Sequence, residues 1–162
     1  MMDAQLETLS RIVGDHLQSR GWRLATAESC TGGWVAEVVT ATAGSSHWFD
    51  SGFITYSNDA KVALLGVSPM TLARHGAVSE NTTASMARGT LERTEADVAL
   101  SISGIAGPGG GSADKPVGTV CFGWVRTGEA PQTATCRFDG DRESVRRQAV
   151  IFALEELLRR YR

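Results

Sequence analysis

The chain has 162 residues, of which 42% are hydrophobic and 21% charged, a composition typical of one globular domain rather than of a disordered chain. The 16 Lys and Arg residues nearly balance the 18 Asp and Glu residues, so the formal net charge of -2 predicts no nucleic-acid partner. No signal peptide and no apolar run of about 18 residues is present, which predicts no membrane association and a single cytoplasmic domain over residues 1–162.

The first part of the chain shows helical and strand patterns in alternation. Four segments follow one another: a helix at 4–20, a short strand at 22–28, a helix at 32–42 and a strand at 48–57. Gly21 ends the first helix, and Asn58 is the expected N-cap of a short helix that contains Lys61.

The second part of the chain adds two helices, three strands and a long loop. These elements are a helix at 80–93, a buried strand at 97–103, a glycine-rich loop at 104–116, strands at 117–126 and 133–138, and a final helix at 142–161. The last two strands are expected to form an antiparallel hairpin. The whole order predicts an α/β fold, a three-layer α/β/α sandwich around a mixed sheet.

The sequence AESCTGG, residues 27–33, joins the first strand to its helix and is the first candidate site. Free amides at the start of such a helix, those of Cys30, Thr31 or Gly32, are suited to stabilising an anion beside a Ser29 nucleophile. The alternative is that Ser29 or Thr31 only caps the helix. Cys30 competes as the nucleophile, but no histidine lies in a comparable loop, so Ser29 is preferred.

The sequence GFITYSNDAK, residues 52–61, supplies a candidate base for that serine. A lysine acts as a base when burial lowers its pKa toward neutrality, which suggests Lys61. Tyr56 is placed to relay the proton or to orient the lysine. The alternative is a solvated surface lysine without a catalytic role.

Two further segments carry residues suited to binding phosphate. The loop SGIAGPGGG, residues 103–111, offers backbone amides, with side-chain donors from Ser103 or from Lys115 just beyond it, unless the loop is only a flexible connection. The segment GDRESVRR, residues 140–147, opens the last helix with three arginines that suit bidentate phosphate binding or simply lie in solvent. They are Arg142, Arg146 and Arg147.

The three histidines and three cysteines are scattered along the chain. None of the histidines lies within a helical turn of another histidine or of a cysteine, and no CxxC spacing is present. This distribution predicts neither a metal site nor a disulfide framework.

Taken together, these motifs resemble the CinA C-terminal domain family. The matching segments are AESCTGG (27–33), GxxTYSNxxK (52–61), GAVS (76–79), SGIAGPGGG (103–111), KPVGTV (115–120) and GDRxxxR (140–146). They span nearly the whole chain in the order of the family. One departure is Ser103, where the family is expected to carry threonine more often, so the hydroxyl is kept.

The resemblance implies an amidase that converts nicotinamide mononucleotide and water into nicotinic acid mononucleotide and ammonia without a metal or cofactor. It implies Ser29 as the nucleophile, Lys61 as the general base and Tyr56 as a helper in proton transfer. It also implies a set of substrate-binding residues, with the TGG amides holding the oxyanion. These are Cys30, Thr31, Gly32, Gly33, Ser103, Gly104, Gly107 and Arg142.

Several alternatives stay open at the level of the sequence. The phosphate could be held by Lys115, Arg146 or Arg142. The chain could be a non-catalytic nucleotide-binding module, or an amidase for a different pyridine or phosphorylated amide. The family resemblance suggests a homo-oligomer, a dimer or larger. Trp48 and Phe49 could lie in its interface, but we expect them to be buried aromatic residues of the core.

Overall fold

The computed structural model describes residues 2–162 as alternating helices and strands that end in a hairpin and a long helix. The helices in this range are α1 (Ala4–Arg20), α2 (Trp34–Thr40), α3 (Asn58–Leu65), α4 (Pro69–His75), α5 (Glu80–Glu92) and α6 (Arg142–Arg160). The strands in this range are β1 (Leu24–Glu28), β2 (Phe49–Ile54), β3 (Val98–Gly104), β4 (Thr119–Arg126) and β5 (Gln132–Arg137). One turn of 3-10 helix at Ser45–His47 precedes β2.

These strands form a mixed sheet in the order β2-β1-β3-β4-β5. β1 pairs in parallel with β2 and β3, whereas β4 pairs antiparallel with β3 and with β5, which confirms the predicted hairpin. Because β1, β2 and β3 run in the same direction, their carboxyl ends meet at one edge of the sheet. In open α/β sheets that edge is where ligands bind.

Helices cover both faces of the sheet, because side chains alternate between the two faces along each strand. Leu100 and Ile102 of β3 lie in a large apolar cluster with residues of α1, α2 and α6. Ala99, on the opposite face of the same strand, packs with Ala87 of α5. The predicted three-layer α/β/α sandwich is therefore confirmed.

Small residues line the face of the sheet that α5 covers, and they let this helix lie close to the strands. The Ser101 hydroxyl donates to the Thr83 carbonyl at 2.6 Å, and a Cβ at Gly123 would stand 2.5 Å from the same oxygen. On another side of α5, a Cβ at Gly89 would overlap the carbonyl oxygen of Leu65 in α3. The absence of side chains at these glycines therefore sets the positions of both α5 and α3.

The second helix begins two residues later than its sequence pattern predicts. Gly32 and Gly33 adopt left-handed φ angles of 61° and 106°, which a helix cannot include, so α2 begins at Trp34. The turn between β1 and α2 is correspondingly longer. Ser29 therefore lies in a turn of its own and is not part of the helix.

Two features of the segment between β2 and α5 differ from the prediction. The N-cap of α3 is Ser57 and not Asn58, since the Ser57 hydroxyl accepts a hydrogen bond from the Ala60 amide at 3.0 Å. Helix α4 is absent from the sequence-based prediction. Its signals are Ser68 as the N-cap and Pro69 in the first turn.

Trp48 is 2% exposed and belongs to the main apolar cluster, against which Phe49 also packs. Their interpretation as core residues is confirmed. Across residues 2–162, no helix combines the length and the apolarity that crossing a bilayer requires.

Candidate active site

Ser29 lies where the parallel strands β1 and β3 end. Its amide donates to the Ile102 carbonyl at 3.0 Å, which continues the pairing of the two strands by one residue. Its carbonyl accepts from the Gly32 amide at 3.0 Å, which closes the turn. The Ser29 side chain is 7% exposed, so its hydroxyl is sheltered from solvent.

Glu28 shapes this turn from inside the protein. Its carboxylate is 1% exposed and accepts from the Thr31 hydroxyl at 2.7 Å and from the Val35 and Ala36 amides at 2.9 and 3.1 Å. The first turn of α2 is therefore capped by a glutamate six residues upstream of Trp34. Sequence reasoning missed this role, although a lone acidic residue in the buried strand LATAE is a visible signal.

Lys61 lies against Ser29 with its amine in a buried site. The side chain is 1% exposed, and Nζ lies 3.0 Å from the Ser29 hydroxyl. Nζ also donates to the carbonyls of Thr55 and Tyr56, at 2.8 and 3.2 Å. Burial lowers the pKa of Lys61. The alternative of a solvated surface lysine is therefore wrong.

Cys30 has the opposite electrostatic setting to a reactive thiol. It is 7% exposed, and burial raises the pKa of its thiol to about 11, despite the opposing positive charges of Arg146 and Lys61. At neutral pH the sulfur is therefore protonated and a weak nucleophile. This favours Ser29 over Cys30, the choice already made from the sequence.

The backbone amide of Cys30 is suited to a different role. Within residues 2–162, the amides of Cys30 and Thr31 donate to no acceptor on another residue, whereas the Gly32 amide is engaged by the Ser29 carbonyl. Cys30 also lines the cavity beside Ser29. Of the predicted oxyanion donors, the Cys30 amide is the one that combines a free N–H with a place at the cavity.

Tyr56 contributes to the site through two separate groups. Its carbonyl accepts from Lys61, and from the Ser29 hydroxyl at 3.3 Å. Its side chain is 62% exposed, and the phenol oxygen accepts from Arg142 at 3.2 Å. Within residues 2–162 the phenol makes no hydrogen bond to Ser29 or Lys61, so its part in proton transfer stays a prediction.

A cavity of about 220 Å³ opens above the Ser29 hydroxyl and the Lys61 amine. Residues from five separate segments line it: Ser29, Cys30, Tyr56, Asn58, Lys61, Ala77, Val78, Ser103, Gly104, Ala106 and Arg142. The structure thus brings seven of the predicted site residues to one cavity. Asn58, Ala77, Val78 and Ala106 were not predicted as site residues, although all four lie in motifs that the sequence showed.

The other predicted binding residues lie around this cavity but not in its wall. Thr31, Gly32 and Gly33 line a neighbouring surface depression on the far side of the turn. Gly107 receives a hydrogen bond from Arg142 to its carbonyl at 2.7 Å. It therefore helps to hold Arg142 at the rim.

The three candidates for holding a phosphate occupy different places. Arg142 lines the cavity. The Lys115 amine donates to the His75 carbonyl at 2.7 Å, which ties the glycine-rich loop to the end of α4. Arg146 donates to the carbonyls of Cys30 and Thr31, behind the turn that carries Ser29. The geometry therefore favours Arg142.

Metal-ligating side chains are not grouped at this site. In the part of the chain from residue 2 onward, no three His, Cys, Asp or Glu residues are placed to share an ion, and the three cysteines are free. The expectation that no metal or cofactor takes part stays a prediction.

A family model described as the CinA C-terminal domain matches residues 6–161. The chain belongs to the CinA C-terminal domain family. Its fold agrees with that membership, since the structure entitled competence/damage inducible protein CihA from Agrobacterium tumefaciens superimposes with a TM-score of 0.95 at 42% identity. That comparison covers 98% of this chain and 97% of the other.

Two curated relatives of this CinA-family chain carry the name nicotinamide-nucleotide amidohydrolase PncC. The relative from Escherichia coli K12 is 54% identical over 162 residues, which is 99% of this chain and 98% of that protein. The relative from Pseudomonas putida is 46% identical over 155 residues, which is 94% and 95% of the two chains. Both are therefore matched along nearly their whole length.

Proposed function

We propose that this chain is a nicotinamide-nucleotide amidase that hydrolyses nicotinamide mononucleotide to nicotinic acid mononucleotide and ammonia. That the chain is an amidohydrolase follows from its identity of 54% with a curated amidohydrolase matched over nearly its full length. The choice of substrate rests on the names of these relatives, and the roles of the residues rest on the geometry of the cavity.

The observation that carries the mechanism is the 3.0 Å contact between Ser29 Oγ and Lys61 Nζ at the base of the cavity. A neutral amine has two N–H donors and one lone pair. In the structure Nζ donates to Ser29 Oγ and to the Thr55 and Tyr56 carbonyls, so loss of the proton that faces Ser29 leaves the lone pair directed at the hydroxyl while the two carbonyls keep the other N–H groups. Lys61 is then the general base for Ser29.

The reaction proceeds by two acyl transfers. Lys61 takes the hydroxyl proton while Ser29 Oγ forms a bond to the carboxamide carbon. The C–N bond then breaks, and Lys61 returns the proton to the leaving nitrogen, which departs as ammonia. Water next attacks the nicotinoyl ester while Lys61 takes its proton, the Ser29 Oγ–carbon bond breaks to release the acid, and Lys61 returns the proton to Ser29 Oγ.

The negative charge on the carboxamide oxygen needs a donor at the cavity, because amides are poor electrophiles. The free amide of Cys30 is our candidate, and losing one such donor typically lowers the rate on the order of 10²- to 10³-fold. Ser103 is 1% exposed, and its hydroxyl makes no hydrogen bond within residues 2–162, so it is available to the substrate. With Gly104 it lines the part of the cavity that we assign to the pyridine ring.

Arg142 is our candidate for the phosphate of the nucleotide. It lies at the rim of the cavity, and its guanidinium already engages two oxygen atoms, the Gly107 carbonyl and the Tyr56 hydroxyl. A phosphate that replaces the neutral Tyr56 hydroxyl would form a stronger, charge-assisted hydrogen bond. We therefore expect a preference for the nucleotide over nicotinamide itself.

The test is ammonia release from nicotinamide mononucleotide by the purified protein in the presence of a chelator. Ser29→Ala should abolish release and leave the melting temperature close to that of the wild type, because the hydroxyl lies at the cavity. Ser46→Ala is the matched control: this serine is exposed and its side chain makes no hydrogen bond within residues 2–162, so full activity is expected.

A folded Ser29→Ala variant with normal turnover would remove Ser29 from the mechanism. Nicotinamide and its riboside, assayed beside the mononucleotide, show whether the phosphate is needed. Calorimetric binding of the mononucleotide without ammonia release would replace the amidase proposal with a nucleotide-binding module.

A further inference from the structure

Arg146 holds the turn that carries Ser29, from the side away from the cavity. In the second turn of α6, its Nε donates to the Cys30 carbonyl at 3.0 Å and its Nη2 to the Thr31 carbonyl at 3.2 Å. The guanidinium carbon lies 5.4 Å from the centre of the Trp34 ring, within the range of a cation–π contact. One side chain thus contacts the turn and the start of α2 together.

These contacts fix the orientation of two successive peptide groups. A trans peptide is planar, with its N–H and C=O pointing in opposite directions, so fixing a carbonyl also fixes the amide of the next residue. The same turn is closed on its other side by the Gly32 amide on the Ser29 carbonyl. The backbone on both sides of Cys30 is thereby immobilised, and with it the direction of the Ser29 hydroxyl.

Arg146 does not line the cavity in which Ser29 lies. It lines the depression on the far side of the turn, together with Gly32, Gly33 and Trp34. Its donors are directed at backbone carbonyls and not at the space where substrate would sit. It is therefore not placed to touch the substrate.

We infer that Arg146 is a positioning residue of the reaction proposed above, because its guanidinium holds the Ser29 turn in the orientation that attack requires. The inference rests on the proposed function. Lysine does not replace arginine here: its ammonium lacks the planar fork that reaches two carbonyls while stacking on an indole. A displacement of about 1 Å at a reacting atom costs on the order of 10²-fold in rate.

The first test compares Arg146→Lys with Arg147→Lys. Arg147 is next in sequence and binds the Asp3 carboxylate at 2.9 Å, so this variant controls for an arginine-to-lysine change on the same helix. Arg146→Lys should lower kcat by roughly 10- to 10²-fold and leave KM near the wild-type value. Arg147→Lys should change neither constant.

A second measurement does not depend on the amide substrate. Covalent labelling of Ser29 by a fluorophosphonate, followed by intact-mass spectrometry, reports how well the hydroxyl is oriented. Labelling should be slower in Arg146→Lys and unchanged in Arg147→Lys. Added ethylguanidinium should restore part of the activity of Arg146→Ala, since it can occupy the site above Trp34.

The outcomes separate this inference from the proposed function. Wild-type kcat in Arg146→Lys, or a loss confined to KM, overturns the positioning role. If the wild-type protein is labelled at Ser29 but releases no ammonia, nicotinamide mononucleotide is not its substrate. The labelling rates of the variants then still decide the role of Arg146. If the wild type is neither active nor labelled, both proposals fail.

Discussion

Lys61 is a buried cation whose contacts are all uncharged. Its amine faces one hydroxyl and two carbonyls, with no carboxylate within salt-bridge distance among residues 2–162. Transfer from water into such a site disfavours the protonated form, and burial is the main cause of its lowered pKa. A larger share of Lys61 is therefore neutral at physiological pH than of a solvated lysine.

This setting predicts the pH dependence of the reaction. In the proposed mechanism only neutral Lys61 accepts the Ser29 proton, so kcat/KM should rise with pH and level off below about 10.4, the pKa of an unperturbed lysine. Lys61→Arg should remove this rising limb together with most of the activity, because a guanidinium stays protonated. The measurement is the pH profile of ammonia release, fitted for both proteins.

Lys115→Arg is the control for that profile, since Lys115 binds a backbone carbonyl outside the cavity. The Lys115→Arg variant should keep the rise of kcat/KM with pH and the pH at which that rise is half complete. A rising limb that is retained in Lys61→Arg would assign the base to another group.

At the residue scale, the sequence located the side chains that line the cavity better than the side chains that hold its backbone. Ser29 and Lys61 stand in short motifs whose chemistry is visible in the residue types. Glu28 and Arg146 act on the backbone of the Ser29 turn, and the contact of Arg146 spans 116 positions of the chain. Such a contact depends on how α6 packs, which no local pattern encodes.

At the element scale, the site depends on the close approach of α3 and α5. Alanine normally stabilises the middle of a helix by about 1 kcal/mol relative to glycine. Gly89→Ala should instead lower the free energy of unfolding, by about 1–3 kcal/mol, because the added Cβ would overlap the Leu65 carbonyl. Urea unfolding followed by circular dichroism measures the change, and activity should fall as α3 shifts with Lys61.

The matched control is Gly109→Ala, because a Cβ at that glycine would meet no atom within 4 Å and its φ is not in the left-handed region. Its unfolding free energy should stay within about 0.5 kcal/mol of the wild type. A stabilised Gly89→Ala variant would show that the two helices separate freely, contrary to the packing described here.

Most elements were predicted well from periodicity, and the main exceptions are helix α4 and the start of α2. Helices α1 and α6 and the strand β3 agree with their patterns to within a residue or two. Helix α4 has seven residues, none of them fully buried, so it lacks the apolar stripe on which the prediction depends. The start of α2 depends on the φ angles of two glycines, which their identity permits but does not dictate.

At the scale of the whole molecule, one apolar cluster joins the two ends of the described chain. It contains Leu6 of α1 and Tyr161 after α6, together with residues of β1, β3 and β4. The cavity likewise takes residues from segments between Ser29 and Arg142. The complete cluster and the complete cavity therefore both draw on segments that are distant in sequence. Assembly into a dimer or larger oligomer and a cytoplasmic location stay predictions.

We therefore propose that residues 1–162 form one domain that unfolds as a unit. Ellipticity of the helices, tryptophan fluorescence and ammonia release should be lost at the same urea concentration, because the core and the site share the same elements. Trp48 and Trp124 report two separate parts of the core, beside the edge strand β2 and in β4. Fluorescence and ellipticity curves with separate midpoints would instead indicate two units, whereas earlier loss of activity alone would indicate local opening around the Ser29 turn.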